Sequence, residues 1–250
     1  MSVGEIVTIA LAGLAAGAIN TVVGSGTLIT FPTLLAFGYA PVTANVSNTI
    51  GLVPGSVSGA LGYRRLLAGQ RTRAVRLGSC AALGGITGAA LLLVLPASTF
   101  RDIVPAFIAL ALVLTLLQPR LQAWLARREV DIEERARLLT PLAVYVTGVY
   151  GGYFGAAQGI LLLAILGLLL TQDLQRTNAL KNILAGLVNG VAGVYFAFAA
   201  HVAWGPAAII AVSSMAGAQL GARYGQRLNP AALRAVIVVV GVAAIASLLS

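Results

Sequence analysis

The sequence is poor in charge: Asp, Glu, Lys and Arg make up only 9% of its 250 residues, against about 25% in ordinary soluble domains. Hydrophobic residues make up 59%, and apolar runs longer than about 18 residues recur along nearly the whole length. This excludes a soluble globular fold and leaves no stretch for a soluble domain. The runs are continuous rather than alternating in polarity, which also excludes a β-barrel. The longest polar stretch, Gln118 to Arg137, has the size of a loop between two halves.

Acidic residues are scarcer than basic ones. All seven, Glu5, Asp102, Glu129, Asp131, Glu133, Glu134 and Asp173, fall at termini, in loops or at helix ends. With no carboxylate in mid-span, a carboxylate cation site, a metal site or a carboxylate proton relay has little to build on. The single cysteine, Cys80, cannot form an intrachain disulfide and reads as a small core residue. The single histidine, His201, sits beside Trp204 between two apolar segments and reads as an interfacial anchor. An intramembrane protease built on Ser25 would need glycine at Val23 and a histidine nearby, so no catalytic residue is assigned. No nucleotide-binding motif is present, so neither direct ATP use nor any cofactor is expected. The start, M-S-V-G-E, has no basic n-region, and a cleavable signal peptide is not evident.

The net charge of +9 comes from arginines clustered between apolar segments. One cluster is Arg64, Arg65, Arg71, Arg73 and Arg76; the next is Arg120, Arg127, Arg128, Arg135 and Arg137; the last is Arg223, Arg227 and Arg234. This placement marks cytoplasmic loops rather than a nucleic-acid surface. Ten apolar segments are read, at 3–23, 26–38, 41–62, 73–95, 101–118, 138–155, 158–171, 174–199, 203–223 and 230–249. With all ten crossing, every arginine cluster falls on one side and each half has an odd number of crossings, so the second half is inverted. The second and seventh segments, about 13 residues or roughly 20 Å as helix, are too short for a hydrocarbon core of about 30 Å. The expected fold is therefore an all-α polytopic membrane protein of roughly eight to ten transmembrane helices. It has two inverted repeats of about five segments, 1–118 and 138–250, joined by a cytoplasmic linker at 119–137, with the second helix of each repeat short or broken.

The repeat is also visible in residue identity. G-A-I-N-T-V-V-G-S-G-T-L-I-T-F-P, Gly17 to Pro32, is followed by A-N-V-S-N-T-I from Ala44. G-G-Y-F-G-A-A-Q-G-I-L-L-L, Gly151 to Leu163, is followed by T-N-A-L-K-N-I from Thr177. An ungapped shift of 133 residues pairs Gly26 with Gly159, Asn45 with Asn178 and Asn48 with Lys181. Interrupted hydrophobic segments at matching places in two halves point to a carrier whose site lies between the repeats.

Gly24-Ser25-Gly26-Thr27 and Gly155 to Gly159 break the backbone at the heads of the short segments. A helix starting there aims N–H groups and a positive dipole end at the break, which suits an anion; close packing through small residues is the plainer alternative. Asn20, Thr21, Ser25, Thr27, Asn45, Ser47, Asn48, Thr49, Gln158, Asn178, Asn182 and Asn189 supply amides and hydroxyls in the same segments. Interhelical hydrogen bonding alone would also account for them. Lys181, the only lysine, lies about two turns into an apolar helix. Ionisable groups at such depth mark a pathway unless they snorkel to the interface. The donor-rich, acceptor-poor set favours a small tetrahedral or pyramidal oxyanion.

The stretches G-A-I-N-T-V-V-G-S-G-T-L-I-T-F-P-T-L-L and N-V-S-N-T-I-G-L-V-P-G-S-V-S-G-A-L-G-Y-R-R resemble the first repeat of the sulfite exporter family TauE/SafE. G-V-Y-G-G-Y-F-G-A-A-Q-G, T-N-A-L-K-N and the closing G-A-Q-L-G-A-R resemble its second. The likeness covers residues 5 to 248. It implies a multi-pass permease of the bacterial inner membrane, exporting sulfite or a related sulfonate anion. By motif, its site residues would be Asn20, Thr21, Gly24, Ser25, Gly26 and Asn48 with Gln158, Gly159, Thr177 and Lys181. Two departures stand out: Asn48 replaces a common lysine, and Gly155-Ala156-Ala157-Gln158-Gly159 replaces a denser glycine run. The partners expected are the lipid bilayer and the anion, and homo-oligomer formation is compatible with the fold. An anion channel or an accessory structural membrane subunit are the alternative functions.

Overall fold

The computed structural model describes residues 1–127, 133–170, 172–224 and 230–249. Among them are ten α-helices and no strand. The first half contains α1 (Val3–Val22), α2 (Thr27–Ala36), α3 (Pro41–Gly62), α4 (Arg71–Val94) and α5 (Ala97–Ala126). The second contains α6 (Glu133–Tyr153), α7 (Gln158–Leu169), α8 (Leu174–Ala199), α9 (Trp204–Tyr224) and α10 (Pro230–Leu249). A 3-10 turn, Arg64–Leu67, joins α3 to α4. The protein is thus an all-helical membrane protein. Arg128, Glu129, Asp131 and Arg227 lie outside the described residues, as do the side chains of Glu133, Glu134, Arg135 and Arg137.

The helices begin where local chemistry favours it. Ser2 caps α1, its Oγ accepting the Glu5 N–H at 3.2 Å, with Glu5 itself placed against the positive end. Asp173 caps α8 by accepting from the N–H groups of Gln175 at 2.7 Å and Arg176 at 3.1 Å. Pro41 opens α3, where its fixed φ is suited to the first turn. The largest difference from the expected segments lies at α5, which runs on through Ala126 rather than stopping at residue 118. Its extension, P-R-L-Q-A-W-L-A, takes Pro119 inside the helix but is otherwise built almost wholly of good helix formers, and polarity alone does not end a helix.

Five helices, α1, α4, α5, α8 and α9, are long and apolar enough to cross a membrane. α3 is long enough too, at 22 residues, but carries Asn45, Ser47, Asn48 and Thr49, all buried inside the protein. Large apolar side chains such as Leu11, Val75, Leu83, Leu142, Phe198 and Val239 instead stand exposed on the outer surface, as a lipid-facing shell requires. α2 and α7, of 10 and 12 residues, reach only about 15–18 Å.

Glycines set the closest helix contacts. α1 lies beside α9 through Gly13 and Gly17 on one side and Gly217 and Gly221 on the other; α4 lies beside α6 through Gly84, Gly88, Gly148 and Gly152. These are small-xxx-small spacings that let backbones approach directly. A Cβ at Gly217 would fall on the Leu14 carbonyl oxygen, and one at Gly88 on that of Val149.

The same contacts give helix directions. Gly51, Gly55 and Gly62 of α3 meet Ile210, Ser214 and Ala222 of α9 in rising order, so these helices are parallel, and α1 runs with them. α4 runs parallel to α6 and to α8. α3 and α8 cross antiparallel at the centre: Gly193 meets Ile50 and Val53, Gly186 meets Ser56, and Arg176 reaches the Ala68 carbonyl. Exchanging the halves leaves the packing pairs unchanged, α1 on α9 matching α6 on α4 and α3 on α9 matching α8 on α4.

Gly88→Leu and Gly217→Leu are each expected to destabilise the fold by about 1–3 kcal/mol through overpacking. A lowered unfolding temperature in detergent would show it. Gly190→Leu, where a Cβ meets nothing within 4 Å, should leave that temperature unchanged.

Candidate functional site in the helix breaks

Each half interrupts its helix in the same way. α1 ends at Val22 and the chain turns through Val23–Gly26 into α2; α6 ends at Tyr153 and turns through Phe154–Ala157 into α7. Gly24 has φ +95° and Ala157, 133 residues later, φ +59°. The alanine sits in the left-handed region that costs a Cβ-bearing residue energy. The two breaks touch. The Gly159 N–H donates to the Gly24 carbonyl at 3.1 Å, and a Cβ on Gly24 would stand 2.6 Å from the Gly159 Cα. Glycine at Gly24 is therefore required twice, by its backbone angle and by its neighbour.

The carbonyls freed at the end of α1 need partners, because lipid supplies none. Lys181 Nζ donates to the Asn20 carbonyl at 3.2 Å. Asn178 and Asn182 Nδ2 both donate to that of Thr21, at 3.4 Å each. Gln118 Nε2 reaches Val23 at 3.4 Å. In the other direction, Asn45 Nδ2 donates to the carbonyl of Tyr153, the last residue of α6, at 3.0 Å. Asn45 and Asn178, one repeat apart, thus each brace the broken helix of the opposite half.

The first break is capped from within. Asn20 Oδ1 accepts the Gly26 N–H at 2.7 Å. Asn48 is held on both sides: its Oδ1 accepts the Thr30 hydroxyl, and its Nδ2 donates to Thr27 Oγ1 at 3.5 Å. Thr177 turns back on its own helix, donating to the Asp173 carbonyl at 3.0 Å.

A small polar cavity of about 30 Å³ lies where the breaks meet the α3–α8 crossing, room for about two waters. Of the residues singled out in the sequence, Asn20, Thr21, Gly24, Thr27, Gln158, Gly159 and Lys181 line it. Ser25, Gly26, Asn45, Asn48, Thr177 and Asn178 do not; they are buried around it. Lys181, 1% exposed, does not reach the surface. It is the only ionisable side chain in the lining, which contains no carboxylate. Gln158 Nε2 and Ser25 Oγ, again one repeat apart, are buried without a hydrogen-bond partner.

Sequence reasoning missed Ser56, Gly59 and Ala185, and read Asn182 and Asn189 only as helix-face amides. The 133-residue shift that pairs Gly26 with Gly159 also pairs Ser56 with Asn189 and could have found them: Asn189 Nδ2 donates to Ser56 Oγ at 3.3 Å. Gly59 and Ala185 carry no polar signature.

Asn45→Ala removes the donor from a buried helix-end carbonyl and should cost about 1–3 kcal/mol. Asn178→Ala should cost less, since Asn182 still serves Thr21. Comparing the two unfolding temperatures in detergent checks the order.

The sequence pattern of the family described as Sulfite exporter TauE/SafE matches residues 9–248. Among curated relatives, the "Probable membrane transporter protein ORF9" of Sinorhizobium sp is 27% identical over 240 residues, covering 93% of this chain and 88% of its own. The "Probable membrane transporter protein YfcA" of Escherichia coli (strain K12) is 27% identical over 238 residues, covering 94% and 86%. A "Probable membrane transporter protein" of Haemophilus influenzae is 24% identical over 233 residues, covering 91% and 88%. No solved structure matches the chain significantly. Broken paired helices, an apolar outer shell and a match from residue 9 to 248 agree: the chain belongs to the sulfite exporter TauE/SafE family of membrane transporters.

Proposed function

We propose that the protein exports a small sulfur oxyanion, sulfite or a sulfonate, bound where its two broken helices meet. One observation carries this: both breaks open on a single polar cavity that holds Lys181 and the unpartnered Gln158 amide but no carboxylate. Such a lining offers one positive charge and N–H donors, with no carboxylate to repel an anion. Gly24, Gly159, Asn20, Thr21 and Thr27 shape the cavity, Gly26, Asn45, Asn48 and Asn178 hold the breaks in place, and Ser25 and Thr177 are buried beside them.

In this proposal, residues 1–118 and 138–250 are inverted repeats that rock about the cavity, joined by the linker at 119–137. The antiparallel crossing of α3 with α8 supports it, as do the opposed directions of α1, α3, α9 and of α4, α6, α8. Parallel α3 and α9 also bring the arginines around the 3-10 turn and Arg223 to one side. That side is the cytoplasmic face of the inner membrane by the positive-inside rule. An inside-negative potential favours anion exit by about 2.3 kcal/mol per charge per 100 mV, so no ATP step is needed.

Proteoliposomes holding the purified protein should show saturable, counterflow-competent flux of sulfite or methanesulfonate. Lys181→Met should lower it by about tenfold or more, the loss of one charge-assisted contact of about 1.5–3 kcal/mol. Flux with none of these anions would overturn the substrate assignment, and flux without counterflow would indicate a channel. An imposed inside-negative potential should speed efflux, and a collapsed potential should slow it.

A further inference from the structure

We infer that the cavity selects anions bearing one negative charge, and so carries hydrogen sulfite or a monosulfonate in preference to a dianion. This rests on the oxyanion assignment of the same cavity and names its substrate class. Lys181 is the one lining side chain able to carry charge, so the site supplies at most one positive charge. Its repeat mate cannot add a second. Asn48 is neutral, and both its polar atoms are engaged by Thr30 and Thr27. The arginine closest along the same helix, Arg176, sends its guanidinium to the Ala68 carbonyl beside the 3-10 turn.

The remaining groups do not make up the difference. The cavity also faces the carbonyl end of α1, where the backbone dipole is negative, and Gln158 Nε2 offers a neutral amide donor. A monoanion beside Lys181 forms a neutral pair. A dianion leaves one charge unpaired among buried side chains, Lys181, Thr21 and Gln158, where an unpaired charge is strongly unfavourable.

The test compares three anions in proteoliposomes with the wild-type protein. Methanesulfonate is a monoanion and sulfate a dianion of similar tetrahedral shape throughout the neutral range, whereas sulfite takes up its proton near neutrality. Sulfate flux should be at least about tenfold below methanesulfonate flux, as expected for about 1.4 kcal/mol or more of discrimination. The ratio of sulfite to methanesulfonate flux should be about five- to tenfold higher at about pH 6 than at about pH 8, following the fraction of protonated anion. Using the ratio cancels any titration of the protein itself.

Sulfate carried as fast as methanesulfonate, or a ratio that stays level or rises with pH, would overturn the inference while leaving the oxyanion assignment standing. No flux for any of the three would remove both. Asn48→Lys, which supplies a second charge, should raise sulfate flux relative to methanesulfonate. If that variant does not fold, the three-anion comparison decides alone.

Discussion

A backbone broken inside a bilayer exposes N–H and C=O groups that lipid cannot satisfy, and this constraint organises the whole interior. The ends of α1 and α6 would be untenable alone. They persist because side chains from the facing half meet their carbonyls: Lys181, Asn178 and Asn182 on Asn20 and Thr21, Asn45 on Tyr153. The two breaks also satisfy each other directly, Gly159 N–H to Gly24 carbonyl. Neither half could hold its break without the other, so the site exists only as a property of the pair.

The glycine contacts serve the same end. Hydrophobic attraction cannot hold helices together in lipid, so backbone-to-backbone packing through small residues must. The α1–α9 and α4–α6 seams tie a helix of one half to a helix of the other. That arrangement encloses α3 and α8, whose amides and hydroxyls then line the centre rather than facing acyl chains. Among the buried polar atoms without a partner are Ser25 Oγ and Gln158 Nε2, 133 residues apart. They stand at equivalent positions, one turned toward packed protein and one lining the cavity.

Much of this was legible in the sequence because the signals were strong and local. Runs of apolar residues fixed the helices, several to the residue, since in lipid a helix is almost the only span available. The short second and seventh segments and the glycines at their heads were visible for the same reason. Lys181 drew notice because a lone lysine in an apolar run is costly. Ser56 went unseen because a serine in a membrane helix usually bonds its own backbone, as it does here with Leu52. Residues 119–126 read as loop because they are polar and open on Pro119, yet 120–126 are good helix formers and α5 continues through them.

The sequence alone determined the class of protein, the order of its helices and the places where two of them break. Those follow from composition, periodicity and the intolerance of lipid for open backbone. Tertiary structure decided which polar residues face the cavity and which are spent holding it. Asn48 and Lys181 occupy the same repeat position, yet one is locked between two threonines and the other reaches across to Asn20. That division depends on which half-helix lies within reach of each side chain, a matter of packing between segments more than a hundred residues apart.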